Sequence, residues 1–468
     1  MRSWHFVGLV VAFGSACPAS HRYPALIRRE PTPPPVTVFR DVRVFTALTD
    51  LALEHQDVRV ENGRIVAVAP TGTDVAGARV IDGTGKTLVP GFVDFHTHLT
   101  GSPAPPWAVA WPDEAHNARA MLAVGITSAM DVGGDLDVLE RLDKAQGEPT
   151  WVGPRFWYAG QIISLRGGYP SSMVKRLFPW PASALADSRF SGPIDHPLDA
   201  RAAVDFRLHR GAHHVKLAIA SMPLDAPVMP AELVRAVAER AHQKGVKVVA
   251  HVDSAAHALR AVRAGVDALM HSPHLGGLTA NEAQELKAAG IVISPTLVVY
   301  DRAEQLLESR FVPTDVERRL YPASFLAPFA PEVNRQQTLD PKLVEWLEKL
   351  RADRPLRLAA VKLLHDAGVP LLVGSDGAGS IGCLVGGAFL DEMRLLVEAG
   401  LPTAAVLRGA TVLPAKFIAG ESADFGTIEP GQRADLVLLE GDPLADSSAT
   451  SRAVHVMKGG VLLEPVSP

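Results

Sequence analysis

The sequence predicts an α/β protein: a (β/α)8 TIM-type barrel with a small β-sandwich domain formed by both ends of the chain. Three observations lead there. Strand-like apolar runs alternate with helical patterns through the middle of the chain, the signature of parallel βα units. Short β-rich segments flank that region, and neither is long enough to bury a core alone. Polar residues stand where the predicted strands end, and the C-terminal strand ends are where a barrel enzyme keeps its chemistry.

The 468 residues suffice for a barrel of about 250 residues or more plus one smaller domain. Residues 1–17 read as an export signal. Arg2 precedes the apolar core Phe6-Val7-Gly8-Leu9-Val10-Val11-Ala12-Phe13, and small residues lead to Cys17. The run Gly14-Ser15-Ala16-Cys17 resembles a bacterial lipoprotein signal. That implies an exported protein, periplasmic or lipid-anchored to the membrane surface through Cys17; cleavage nearby without lipid is the alternative. Cys383 is the only other cysteine, so no intramolecular disulfide is expected once Cys17 is lipidated or removed. Residues 18–35, with Pro31-Thr32-Pro33-Pro34-Pro35, read as a stiff linker outside the fold.

Residues 36–89 form the first part of the sandwich, with Asn62-Gly63 as a hairpin turn. Residues 421–468 form the second, with Lys458-Gly459-Gly460 as a turn. Between them, residues 90–420 carry eight predicted strands: 92–98, 127–132, 155–159, 214–219, 246–252, 268–272, 291–297 and 370–376. Helical patterns fill the intervals, and a count of eight favours closure over an open sheet. Two stretches, 160–197 and 299–355, are too long for ordinary βα loops and are expected to be lids or substrate walls.

Strand one ends in His96 and His98, strand four carries Lys216, strand five ends in His251, strand six in His271 and strand eight in Asp376. Alternate residues of a strand share a face, so the imidazoles of His96-Thr97-His98 project together and can grip one metal ion. A hydrolase of an unreactive amide or ester has to make hydroxide near neutral pH, and bound Zn2+ lowers the pKa of its water to about 7. Two bridged metals do this and polarise the scissile carbonyl as well. Asp376 can ligate, and can take the water's proton before passing it to the leaving group. A lysine ammonium facing two cations is repelled, so Lys216 fits only if neutralised or modified; carbamylation by carbon dioxide turns it into an anionic bridge. Arg166, Tyr169, His274 and Tyr300 fall just beyond strand ends, within reach of a substrate carboxylate or carbonyl.

The motifs Val89-Pro90-Gly91-Phe92-Val93-Asp94-Phe95-His96-Thr97-His98, Val215-Lys216-Leu217, Ala250-His251, Ala264-Gly265-Val266-Asp267-Ala268-Leu269-Met270-His271 and Gly374-Ser375-Asp376 resemble the amidohydrolase superfamily. Within it, the chain is similar to imidazolonepropionase-related and prolidase-type, Xaa-Pro dipeptidase-like members. The tail from Gly426 to Val437, followed by Gly441-Asp442-Pro443-Leu444, extends the likeness to residues 38–464. The resemblance implies that His96, His98 and Asp376 hold one divalent metal ion, zinc, and that His251 and His271 hold a second. It further implies carbamylated Lys216 as the bridge and Asp376 as general base and acid. Ser254 stands three residues after His251, where the aminohydrolase branch carries glutamate, which speaks against base deamination.

A net charge of -5 gives no basic bias toward nucleic acid, and no apolar run reaches the roughly 20 residues that span a bilayer. The expectation is an exported, zinc-dependent hydrolase of a C–N amide bond in a small molecule: a dipeptide, an N-acyl amino acid or a cyclic amide. The alternatives are a mononuclear cyclic-amide hydrolase of imidazolonepropionase type, an esterase or lactonase, and a non-catalytic binding lipoprotein. A homo-oligomer is compatible with the sequence.

Overall fold

The computed structural model describes residues 23–30, 34–72, 76–108 and 110–465. The predicted export signal, Cys17 included, lies outside the described residues. Among the described residues, no helix is long and apolar enough to cross a membrane.

Val36–Val44 pairs with Leu53–Glu61, which turns through Asn62 and Gly63 into Arg64–Pro70. Both turn residues have positive φ, 49° and 76°, the backbone that a two-residue hairpin turn requires and that Asn-Gly supplies. Near the other end, Leu436–Glu440, Ala453–Lys458 and Val461–Pro465 form an antiparallel set. The two ends of the chain meet where Leu436–Glu440 pairs with Lys86–Pro90. The result is one nine-stranded sheet, with strands from both ends contributing Phe39, Val58, Leu88, Leu438 and Met457 to one apolar cluster.

Residues 23–30 belong to this fold, where a linker outside it is expected over 18–35. Ile27–Arg29 pairs with Val461–Pro465, Leu26 is buried in the main core, and Tyr23 stacks on His116 with ring centroids 3.8 Å apart. The apolar trio Tyr23, Leu26 and Ile27 explains the difference: burying it outweighs leaving the segment free.

The central region is a mixed α/β structure with parallel sheets. Phe92–Thr97, Ile126–Asp131 and Arg155–Tyr158 form a three-stranded parallel sheet. Ile162–Leu165, Val215–Ile219, Val248–Val252, Ala268–Met270 and Val292–Ser294 run parallel in a second sheet, edged by Ser191–Ile194. Phe92–Thr97, Ile126–Asp131, Val215–Ile219 and Val248–Val252 are buried at every residue, as strands covered on both faces must be. The helices begin where the sequence offers caps: Asp135 before Leu136–Gln146, Ser254 before Ala255–Arg263, and a Thr279/Glu282 capping box before Ala280–Ala288.

The strand expected over 370–376 forms only isolated bridges, Leu371 to Ile293 and Gly377 to Thr97. Its backbone still bonds both sheets, Phe95 N–H donating to Val373 O at 3.0 Å and Leu372 N–H to Ile293 O at 2.8 Å. A left-handed turn at Asp376, φ 51°, takes the chain out of the extended form. The two long insertions are structured as well. The first holds Ile162–Leu165, Ser171–Leu177, Ala182–Phe190 and Ser191–Ile194; the second is helical, with Leu297–Leu307 and Pro341–Ala352 as its longest pieces.

Candidate metal centre

Phe92–Thr97 delivers His96 near its C-terminal end, and His98 follows one residue beyond it. Asp376 reaches across from the far end of the molecule's sequence to meet both. Its Oδ1 lies 3.2 Å from His96 Nε2 and 2.9 Å from His98 Nε2, and candidate ligand atoms of the three residues lie within 4.8 Å of one another. All three are buried.

The hydrogen bonds of the histidines decide which ring atom faces inward. His98 Nδ1 lies 2.5 Å from Gly133 O, a pure acceptor, so Nδ1 carries the proton and Nε2 is left toward Asp376. Thr296 Oγ1 donates its one proton to Pro295 O at 2.7 Å and therefore accepts from His271 Nδ1, 2.5 Å away. His271 Nε2 thereby keeps its lone pair. Both are the outer-sphere contacts that fix the tautomer of a metal-binding imidazole.

Lys216 and His251 share a face of the second sheet. Lys216 registers with Val249 and Ala218 with His251, so the two side chains project the same way from neighbouring strands. The rings of His251 and His271 are 4.1 Å apart and those of His96 and His271 4.9 Å, which joins the second sheet's groups to the His96, His98 and Asp376 cluster. His271 and Asp376 both hold left-handed backbone, φ 71° and 51°, a strain that clusters at functional sites.

Electrostatics follow from burial. Burial takes His96 down to about 3, with Lys216 adding to the effect, and carries His251 and His271 well below the ordinary histidine value. These rings are neutral near pH 7, the form that ligates. Burial alone would push Asp376 up, but His96 and His98 hold its carboxyl well below the usual range. Burial brings the Lys216 ammonium down to about 7, although Asp376 and Asp131 oppose the shift.

The donor set fits a divalent metal. His96 Nδ1 and His251 Nε2 are buried polar atoms without a hydrogen-bond partner, and Nε2 of His98 faces a carboxylate, two acceptors that need a proton or a cation between them.

The residues expected to meet substrate divide. The Tyr169 ring lies 4.4 Å from that of His251, and the Tyr300 and His274 rings lie 5.9 and 6.3 Å from His271. Tyr300 and His274 are also bonded to each other, 2.8 Å from Oη to Nδ1. Arg166 is not brought in: it is largely exposed and pairs with Asp195 at 2.6 Å. Ser254 caps its helix by accepting from His257 N–H.

The sequence reading missed the residues behind the cluster. Asp94 accepts from Ser375 Oγ at 2.5 Å, Ser375 N at 3.0 Å and His96 N at 3.2 Å, tying the first strand to the turn that carries Asp376. Asp131 accepts from Leu99 N at 2.6 Å and Gly133 N at 3.1 Å, tying the backbone just after His98 to the residue whose carbonyl His98 bonds. An acid two residues before His96 in an otherwise apolar strand was the available signal for Asp94. Thr296 carried no comparable mark.

The Amidohydrolase family model matches residues 87–463. Ochratoxinase from Aspergillus niger is 25% identical over 413 residues, 81% of this chain and 75% of that one. D-hydantoinase from Streptomyces coelicolor is 46% identical over 67 residues, so the chain spans only 14% of that relative's length. Among solved structures, a prolidase complexed with N-methylphosphonate-L-proline has 24% identity and a TM-score of 0.71. A Xaa-Pro dipeptidase with methionine in its active site has 22% identity and a TM-score of 0.73. Each alignment covers 92% of this chain and 100% of the other.

Proposed function

Because the chain belongs to the amidohydrolase family, we propose that it is a metal-dependent hydrolase cleaving a C–N amide bond in a small molecule: a dipeptide, an N-acyl amino acid or a cyclic amide. The convergence of His96, His98 and Asp376 carries this reading. The dipeptidase and amidohydrolase names among the structural neighbours support an amide as the bond broken. The two parallel sheets, with residues 371–377 bonded to both, support closure into a (β/α)8 barrel over 90–420, carried beside the β domain of residues 36–89 and 421–468.

His96, His98 and Asp376 would hold one zinc ion, and His251 and His271 a second, with carbamylated Lys216 between them. A divalent metal supplies Lewis acidity there, making water a nucleophile near neutral pH and polarising the scissile carbonyl. Asp376 accepts the proton of the attacking water and returns it to the leaving nitrogen. Ser380 Oγ donates to Asp376 Oδ2 at 2.7 Å and holds the carboxylate in place for both transfers. Neutral Lys216 is the form whose nitrogen adds to the carbon of CO2, losing a proton to give the anionic carbamate, and its lowered pKa supports that step.

A mononuclear centre is the second reading, favoured by one observation: among the described residues, only His96, His98 and Asp376 form a tight metal-ligand group. Metal counts per chain separate the two, since one zinc at saturation overturns the bridged pair. The function itself is tested by incubating zinc-loaded protein with dipeptides, N-acyl amino acids and cyclic amides. Metal-dependent amine release or ring opening is expected, and none from any of the three classes would overturn the reading. Lys216→Ala should lose the second metal and activity, with partial rescue by a short carboxylic acid. The export signal over 1–17, an exported location and a homo-oligomer extend this reading.

A further inference from the structure

Beside Asp376 lies a chamber of about 150 Å3. Most of its wall comes from the two insertions that the sequence marks as too long for ordinary loops. Met173 and Leu177 line it from the first, and Leu306, Leu343 and Trp346 from the second. Among the described residues, none of those lining it carries a charge. Three polar groups in the wall are committed elsewhere: Trp107 Nε1 donates to Pro328 O at 2.9 Å, Asn334 Nδ2 donates to Leu306 O, and Ser380 donates to Asp376; the buried Trp346 Nε1 has no hydrogen-bond partner.

The chamber and the metal centre are contiguous. Gly379 lines the chamber, and a Cβ there would collide with His98 Cδ2 and Asp376 Oδ1. Tyr169, another wall residue, packs its ring on that of His251. A group held in the chamber therefore sits next to the proposed reacting atoms. Arg166, the cation expected to receive a substrate carboxylate, is instead outside and paired with Asp195.

Resting on the amide-hydrolase reading, we propose that the substrate places a neutral ring-sized apolar group, of the size and polarity of a phenyl, in this chamber. Amides bearing such a group next to the scissile bond are then preferred over amides with a small or charged group there. A cavity of this volume with apolar walls is matched to benzene. A charged group would lose its hydration without gaining a counter-charge in the wall.

The test compares matched neutral amides in which a phenyl flanking the scissile bond, on the acyl or the amine side, is replaced by methyl or by a carboxylate-bearing group. For one of the two sides, kcat/KM for the phenyl compound is expected to exceed the others by about 10- to 100-fold, the value of burying a ring of that size. Leu343→Asp should lower kcat/KM for the phenyl compound by at least tenfold and shrink its advantage. Toluene, which cannot be hydrolysed, should perturb tryptophan fluorescence saturably, and Trp346→Phe should remove most of that change in protein that remains folded by circular dichroism. Hydrolysis of all the amides without a phenyl preference, together with no saturable toluene effect, would overturn the chamber's role and leave amide hydrolysis standing. Saturable toluene binding without hydrolysis of any amide would instead overturn the reaction and leave the chamber's ligand class standing.

Discussion

Asp376 combines three properties that no other of the described residues shares: it touches two histidines, is held by Ser380, and sits in left-handed backbone. Asp376→Ala is expected to lower kcat by about 10²- to 10⁴-fold, the range for loss of a general acid and base. Steady-state rates and zinc content of the purified variant check it; retained full activity would remove Asp376 from the mechanism. Glu392, packed behind the backbone of Thr296, gives a pH prediction. Its Oε2 accepts from Val298 N at 2.8 Å, and burial pushes its carboxyl up to about 8 against the lowering effect of such amide donors. A carboxyl with a raised folded pKa keeps its proton longer folded than unfolded. Its contribution is full below the ordinary carboxylate range and is lost as pH rises through about 8, by at most about 1.4 kcal/mol per pH unit. Glu392→Gln cannot ionise, so its melting temperature should fall less steeply with rising pH than that of the parent; parallel curves would contradict the assignment. At this scale the sequence revealed the ligand-type residues, because His, Lys and Asp at apolar strand ends are conspicuous. Asp94 and Thr296 were hidden because their importance lies in contacts to Ser375 and His271, which spacing along the chain does not show.

The insertion over 299–355 depends on buried charge. Arg302, on Leu297–Leu307, pairs with Glu317 on Asp315–Leu320 at 2.9 Å and with Asp391 on Gly387–Glu398. Arg302 and Glu317 are almost fully buried. Arg302→Ala would leave Glu317 as an uncompensated buried charge and should destabilise the protein by about 3–5 kcal/mol. Urea unfolding measures this, and a loss below about 1 kcal/mol would show that the helices hold without the pairs. Most parallel strands and their helices were legible in the sequence, because continuous apolar runs mark strands buried on both faces. The segment over 370–376 is only partly the strand its apolar run suggests: its backbone bonds both sheets, but the pairing is reduced to isolated bridges at Leu371 and Gly377. Ser191–Ile194, which pairs with Ile162–Leu165, was not anticipated because Ser191-Gly192-Pro193 has little strand propensity.

For the molecule as a whole, metal and fold should be coupled. A cation held between elements as distant in sequence as Phe92–Thr97 and Asp376 binds the folded chain and not the unfolded one. A chelator should therefore abolish hydrolysis and lower the melting temperature, and zinc at 100 times its Kd should return about 2.7 kcal/mol of stability. Loss of activity with no change in melting temperature would count against a site spanning these elements. The pairing of the two chain ends was legible because each end alone was too small to bury a core, whereas the inclusion of Ile27–Arg29 was obscured by the proline run that follows it. That nine-stranded sheet also sets an order of events during synthesis. Lys86–Pro90 emerges from the ribosome some 350 residues before its antiparallel partner Leu436–Glu440, and Ile27–Arg29 waits for Val461–Pro465. Such long-range pairing closes slowly. The β domain therefore cannot be completed until Leu436–Glu440 and the strands that follow it have been made.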